Sequence, residues 1–177
     1  VGWVTSIVQE AEASQKRINE FLLHRPEIEN NNPLPSNIEG MIEFKNVSFT
    51  YDDTNITALK NVSFQLKKGE TLAILGNTGS GKSTILNLVA RLYDVDAGEL
   101  LIDGENVKNI NLNDLRQNIG FVPQEGFLFS DLNKNNIKFG DENASDEKIE
   151  KAAKDAYIHH NIIEFNDKYD TLIGERG

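Results

Sequence analysis

The sequence contains no cysteine, which excludes a disulfide framework and any thiolate metal site. It has no run of about 18 or more apolar residues, so no stretch is written to cross a bilayer as a helix. A basic excess is missing too. Lys and Arg number 18 against 28 Asp and Glu, a formal net charge of −10, the wrong sign for a chain whose main partner is nucleic acid. No internal repeat or long low-complexity tract is visible. What remains is 177 residues, 38% of them hydrophobic, enough to bury one sizeable core.

The most informative stretch present is Gly76-Asn77-Thr78-Gly79-Ser80-Gly81-Lys82-Ser83-Thr84. It fits the phosphate-binding pattern G-x-x-x-x-G-K-S/T, the Walker A motif. Glycines let the backbone fold into a concave nest of N–H groups around phosphates, and the following helix points its positive end at them. Lys82 is placed to reach the β- and γ-phosphates, and the Ser83 hydroxyl to ligate Mg²⁺. The flanks agree. Thr71 to Leu75 is a short apolar run that reads as a buried strand. Ile85, Leu86, Leu88, Val89, Leu92 and Tyr93 then recur at helical spacing, leaving Asn87 and Arg91 on another face. Strand, loop and helix in this order predict a nucleoside-phosphate site.

Along the chain, Val4, Ile7, Val8, Ala11, Ile18, Phe21 and Leu22 mark an apolar helical stripe among charged neighbours. It fits either an amphipathic helix packed on the domain or the cytoplasmic end of a longer helix. Pro26 stops it, and residues 27–40, with Pro33 and Pro35, read as a polar linker. Residues 41–51 predict a strand whose apolar phase changes between Phe44 and Val47, so a bulge is expected near Lys45-Asn46. A second strand follows at Val62, Phe64 and Leu66, then a Lys67-Lys68-Gly69 turn. Asp96-Ala97-Gly98 predicts a turn, Leu100 to Ile102 a strand, Leu112 to Asn118 a short helix, and Ile119 to Val122 another strand. From Asp131 the pattern is helical, with Asp131 capping Leu132 to Phe139 and Ser145 capping a helix that carries Ile149, Ala152, Ala153, Ala156 and Ile163. Adjacent His159 and His160 point to different helix faces and make a poor metal site. Lys148, Lys151 and Lys154, interleaved with acids, read as a solvated face.

The residues around the phosphate loop narrow the family. Ile42 to Tyr51, Ala58 to Phe64, and Gly69-Glu70 ahead of Walker A resemble an ABC transporter nucleotide-binding domain. Gly120-Phe121-Val122-Pro123-Gln124 resembles that family's Q-loop. Asn111 to Arg116, Leu128-Phe129-Ser130 and Thr171 to Gly177 resemble the exporter branch, the last of these its X-loop. The resemblance is continuous over 41–177. It implies an α/β fold: an incomplete P-loop ATPase core with an antiparallel β subdomain and the start of a helical subdomain, preceded by an amphipathic helix. It also implies an organisation. Residues 1–25 would be the cytoplasmic end of the last transmembrane helix, 26–40 a linker, and 41–177 the N-terminal part of the nucleotide-binding domain.

Residue by residue, the resemblance makes Tyr51 the aromatic that stacks on adenine, through a flat π-face tolerant of any base. It makes Gly76 to Thr84 the phosphate cradle, and Gln124 a contact to Mg²⁺ and the attacking water. Glu175 and Arg176 would touch the membrane domains. ATP and Mg²⁺ are the implied cofactors. A second nucleotide-binding domain and the membrane domains, its own and its partner's, are the implied partners, with no nucleic acid, at the cytoplasmic face of the inner membrane. The family's LSGGQ-like signature, Walker B and catalytic glutamate are expected beyond Gly177, so this chain is expected to bind ATP and hydrolyse it negligibly. A sheet lacking its central strands is expected to lose stability. A non-transport ABC ATPase and a regulatory half-site with little hydrolysis are the alternatives.

Overall fold

A computed structural model describes residues 2–23 and 26–174. Glu175, Arg176 and Gly177, part of the expected X-loop, lie outside the described residues. Two compact units are present, Val1–Phe121 and Val122–Gly177.

In the first unit, helix α1 (Gly2–Leu23) forms where the apolar stripe predicts it, yet it buries none of its residues. Trp3, Val4, Ile7, Phe21 and Leu22 are all exposed, so the stripe does not pack on the sheet. No described helix is long and apolar enough to cross a membrane.

The centre of the unit is a four-stranded antiparallel sheet. Strands β1 (Ile42–Tyr51), β2 (Ile56–Leu66), β3 (Ala97–Ile102) and β4 (Glu105–Asn106) lie in the order β2-β1-β3-β4. The expected bulge is there. Register shifts between Phe44 and Val47 against β2, and between Lys45 and Ser48 against β3, while Asn46 takes φ 49°. The extra residue rotates the strand so that Phe44, Val47 and Phe49 all enter the core, despite their broken alternation. Gly98 lies opposite, inside β3 rather than in the predicted turn. A Cβ there would stand 2.3 Å from the Asn46 carbonyl oxygen and 2.4 Å from that of Lys45, so the bulge needs glycine as its neighbour.

Helix α2 (Lys82–Val89) packs Ile85 and Leu88 onto this sheet, and α3 (Leu112–Gln117) adds Leu112 and Leu115. Each fully buried leucine contributes about 1.5–3 kcal/mol. Helix α2 is shorter than its apolar spacing predicts. Arg91 sits at φ 47° just beyond it and is 1% exposed, with Nε donating to Asp94 Oδ1 at 3.0 Å. Arg91, expected on a face apart from the apolar residues, thus lies past the helix end and is buried beside an aspartate three residues on.

Two predicted strands do not form. Thr71 to Leu75 and Ile119 to Val122 take no regular secondary structure and pair with no strand among the described residues, leaving Leu75 93% and Val122 88% exposed. Both are short apolar runs of the kind that lie inside a parallel sheet, which requires strands on either side. No strand among the described residues pairs with either. Ile74 and Ile119 still rest against the core.

The linker is held down by hydrogen bonds. Asn111 caps α3 by accepting from the Asn113 and Asp114 amides, while its Nδ2 donates to the Asn32 carbonyl at 2.9 Å. The Leu112 amide donates to Asn30 Oδ1 at 3.0 Å, and the Ser36 amide to Asp114 Oδ2 at 2.7 Å. Further on, Asp103 accepts from the amides of Glu39, Gly40 and Met41 at 2.7 to 3.2 Å. Burial pushes its carboxyl up, but those three N–H bonds and the Lys68 charge outweigh burial and hold its pKa below the ordinary value.

The second unit is mainly helical. Strand β5 (Asp131–Leu132) leads into α4 (Asn133–Ile137), followed by α5 (Asp146–Asp155), α6 (His159–Ile162) and strand β6 (Leu172–Ile173), which pairs antiparallel with β5. Ser145 caps α5 as expected, accepting from the Lys148 amide. Asp131 does not cap α4. Its Oδ1 accepts from the adjacent Leu132 amide and from Asn135 Nδ2, both at 2.7 Å. The expected long helix breaks after Asp155, where Tyr157 takes φ 59°, and Ile163 lies past α6.

Candidate nucleotide site

Three glycines shape the loop before α2, two of them for different reasons. Gly79 and Gly81 have φ of +80° and +84°, a conformation that side chains rarely adopt. Around Gly79 nothing lies within 4 Å of a built Cβ, whereas at Gly81 that atom would stand 2.4 Å from the Ala58 carbonyl oxygen and 2.9 Å from Leu59 Cδ2. Gly81 therefore seats the loop directly against β2. At Gly76 the Cβ would meet Ser80 Oγ at 2.6 Å, within the curl of the loop itself.

Gly81 is also the N-cap of α2, and no side chain caps that terminus. The first-turn amides of Lys82, Ser83 and Thr84 have no carbonyl one turn back to bond, so they are donors suited to an anion. Lys82 Nζ arches over the loop and donates to the carbonyl oxygens of Gly76 at 2.9 Å and Asn77 at 2.7 Å. Asn77, Thr78, Gly79 and Ser80 are exposed on the loop crest, and a turn closes it where the Ser80 amide donates to the Asn77 carbonyl. Ser83 is exposed on the first turn of α2. Backbone amides, an ammonium and a free hydroxyl form the donor set that a polyphosphate with Mg²⁺ requires, so these residues fit both groups.

Tyr51 closes β1 beside this loop. Its hydroxyl lies 3.1 Å from Thr84 Oγ1, and Thr84 is only 4% exposed. Phe49 and Tyr93 meet the Tyr51 ring at 83° and 87°, with centroids 4.9 and 5.3 Å away. Neither stacks parallel to it. Phe49, Tyr51, Tyr93, Asp94 and Asp96 also line a cleft of about 370 Å³, which none of the loop residues borders. That cleft is distinct from the phosphate cradle.

The structure thus brings Tyr51 and Gly76 to Thr84 together within one unit. Gln124 belongs to the other, in an exposed bend. The contribution of Thr84 through its side chain and the packing role of Tyr93 were not foreseen, since nothing in local spacing ties residue 51 to residue 84. His159 is engaged structurally, its Nδ1 being 2.8 Å from the Tyr169 hydroxyl.

A glycine-shaped loop before a helix, topped by a lysine and joined to an antiparallel sheet ending in an aromatic, defines a P-loop nucleotide-binding domain of the ABC ATPase fold. Comparison with known proteins agrees. The ABC transporter family matches residues 59–174, more than half of the chain, and the chain belongs to that family. It is 46% identical over 97% of its length to an uncharacterized ABC transporter ATP-binding protein of Bacillus subtilis, of which it covers 30%. It is 48% identical over 80% of its length to an ATP-dependent lipid A-core flippase of Pasteurella multocida, covering 24% of that protein. A bacterial Atm1-family ABC exporter solved with ATP bound superposes with a TM-score of 0.85 at 33% identity, over 96% of this chain and 30% of the exporter. The chain is homologous to the ATP-binding region of exporter-type ABC proteins and spans about a third or less of the relatives named here.

Proposed function

We propose that this chain supplies the base- and phosphate-binding half of a Mg-ATP site in an ABC exporter that couples ATP hydrolysis to transport. Tyr51 stacks on adenine, the amides from Gly76 to Thr84 hold the phosphates, and Lys82 moves from the loop carbonyls onto the β- and γ-phosphates. Ser83 would ligate Mg²⁺, the family's Q-loop pattern assigns Gln124 to the same ion, and the ion would neutralise charge on the phosphate oxygens. Residues 1–25 continue a membrane helix, 26–40 link it, and 41–177 belong to the nucleotide-binding domain. A second such domain and the membrane domains are its partners, at the cytoplasmic face of the membrane. The general base and the opposing signature sequence come from outside these 177 residues, so the chain alone binds ATP with negligible turnover.

The observation that carries this reading is the Lys82 ammonium held over an uncapped helix N-terminus by two loop carbonyls. Exchanging those carbonyls for phosphate oxygens replaces neutral acceptors by charged ones, a gain specific to an anion. Calorimetric titration with Mg-ATP tests it. Saturable binding weakened about 10- to 100-fold by Lys82→Ala, and also weakened by Tyr51→Ala, is the expected result. Binding indifferent to Lys82→Ala would refute the site.

A further inference from the structure

Thr84 follows the Mg²⁺-ligating serine in sequence, yet its side chain turns away from the loop crest. It is 4% exposed, and its Oγ1 lies 3.1 Å from the Tyr51 hydroxyl. We propose that Thr84 is a positioning residue for base recognition: its hydroxyl fixes the Tyr51 ring, so the stacking surface and the phosphate loop are held in one register. This rests on the proposed role of Tyr51 in stacking.

The geometry leaves the tyrosine few alternatives. Phe49 and Tyr93 contact its ring nearly edge to face, limiting sideways movement. Those rings also hinder rotation about the ring's long axis, and swinging of the hydroxyl end is checked, among the described residues, by the bond to Thr84. The partner atom sits on the first turn of α2, whose amides face the phosphates. A rigid base platform is thereby tied to the same helical turn that binds the other end of the nucleotide. Holding the platform in advance lowers the ordering cost on binding. The effect must therefore appear for ligands with a base and vanish for those without one.

The experiment is calorimetric titration of the chain with Mg-ATP and, separately, with Mg-tripolyphosphate, for Tyr51→Phe, Thr84→Val and the double variant. Thr84→Val keeps the volume and the backbone amide, while Tyr51→Phe keeps the ring. Each single variant is expected to weaken ATP about three- to tenfold, the double no more than either alone, and tripolyphosphate affinity to stay unchanged. Should Thr84→Val fail to fold, Tyr51→Phe against both ligands decides alone. Undiminished ATP binding by Tyr51→Phe overturns the proposal, as does equal weakening of tripolyphosphate, which would put the Thr84 hydroxyl on the phosphates. If Tyr51→Ala also leaves ATP binding intact, the stacking role itself fails. If Tyr51→Ala weakens binding and Tyr51→Phe does not, only the tether is wrong.

Discussion

Replacing Gly81 and Gly79 separately by alanine tests how the phosphate loop is anchored. Both residues are left-handed, with φ of +84° and +80°. Alanine in that region costs about 1–2 kcal/mol, of which about 0.4–1 kcal/mol returns because the unfolded chain loses freedom. Gly79→Ala, with nothing within 4 Å of its new methyl, should therefore lose about 1 kcal/mol. At Gly81 the methyl would also stand 2.4 Å from the Ala58 carbonyl oxygen, roughly 1 Å inside a normal carbon–oxygen approach. That oxygen is backbone within β2 and cannot rotate aside. Either the loop lifts or the strand bends, adding about 1–3 kcal/mol. The total, about 2–4 kcal/mol, corresponds to a fall of about 5–15 °C in Tm. Thermal unfolding followed by circular dichroism measures it, with Mg-ATP titration alongside. Gly81→Ala should melt well below Gly79→Ala and bind ATP more weakly. Equal melting of the two variants would refute the claim that the loop is seated on β2.

Two further outcomes concern the linker. Asp103 has a folded pKa below its ordinary value of about 3.9, so its contribution to stability is fully present above that value. It is lost as pH falls through the lower folded pKa. The amide proton shifts of Glu39, Gly40 and Met41 should titrate together with a midpoint below about 3.9, and separate midpoints would show that they do not share the carboxylate. Asn111→Asp keeps the two acceptor bonds that cap α3 but removes the Nδ2 donor to Asn32, whereas Asn111→Ala removes both. Hydrogen exchange should quicken at Ser36 and Leu112 in Asn111→Asp while Asn113 and Asp114 stay protected, and in Asn111→Ala all four should quicken, with about 1 kcal/mol of stability lost. Unchanged exchange at Ser36 and Leu112 in Asn111→Asp would mean that the linker is held elsewhere.

What could be read from the sequence was what local order determines. The phosphate loop is a contiguous pattern whose glycines encode their own backbone angles, and the bulge announced itself when the apolar phase changed between Phe44 and Val47. Thr71 to Leu75 and Ile119 to Val122 have the apolar composition of strands, but a strand exists only when another lies beside it. The burial of Arg91 is not legible, because it depends on a backbone reversal at φ 47° and on the Nε bond to Asp94, which no helical periodicity reports. Asp131 looks like a helix cap in isolation, and its competing bond to Asn135 decides otherwise. The asparagine-rich linker carried composition alone. Its attachment to Asn111, 79 residues beyond Asn32, is a nonlocal pairing of polar groups.

The unpaired state of Thr71 to Leu75 bears on how the site keeps its shape. A phosphate loop is ordinarily described as the turn between a buried strand and a helix, and on that account an unpaired strand should leave the loop without support. Here the loop is supported from the opposite side. Gly81 rests on the Ala58 carbonyl in β2, Lys82 ties Gly76 and Asn77 across the loop, and Thr84 reaches Tyr51 at the end of β1. Both β1 and β2 belong to one antiparallel hairpin with continuous pairing from Ile42 opposite Leu66 to Tyr51 opposite Ile56, interrupted only by its bulges. The hairpin therefore ties Tyr51 and the glycine loop together through contacts that do not involve 71–75. Loss of the hairpin contacts should damage ATP recognition more than substitutions in 71–75 that spare Ile74, the residue of that stretch resting on the core.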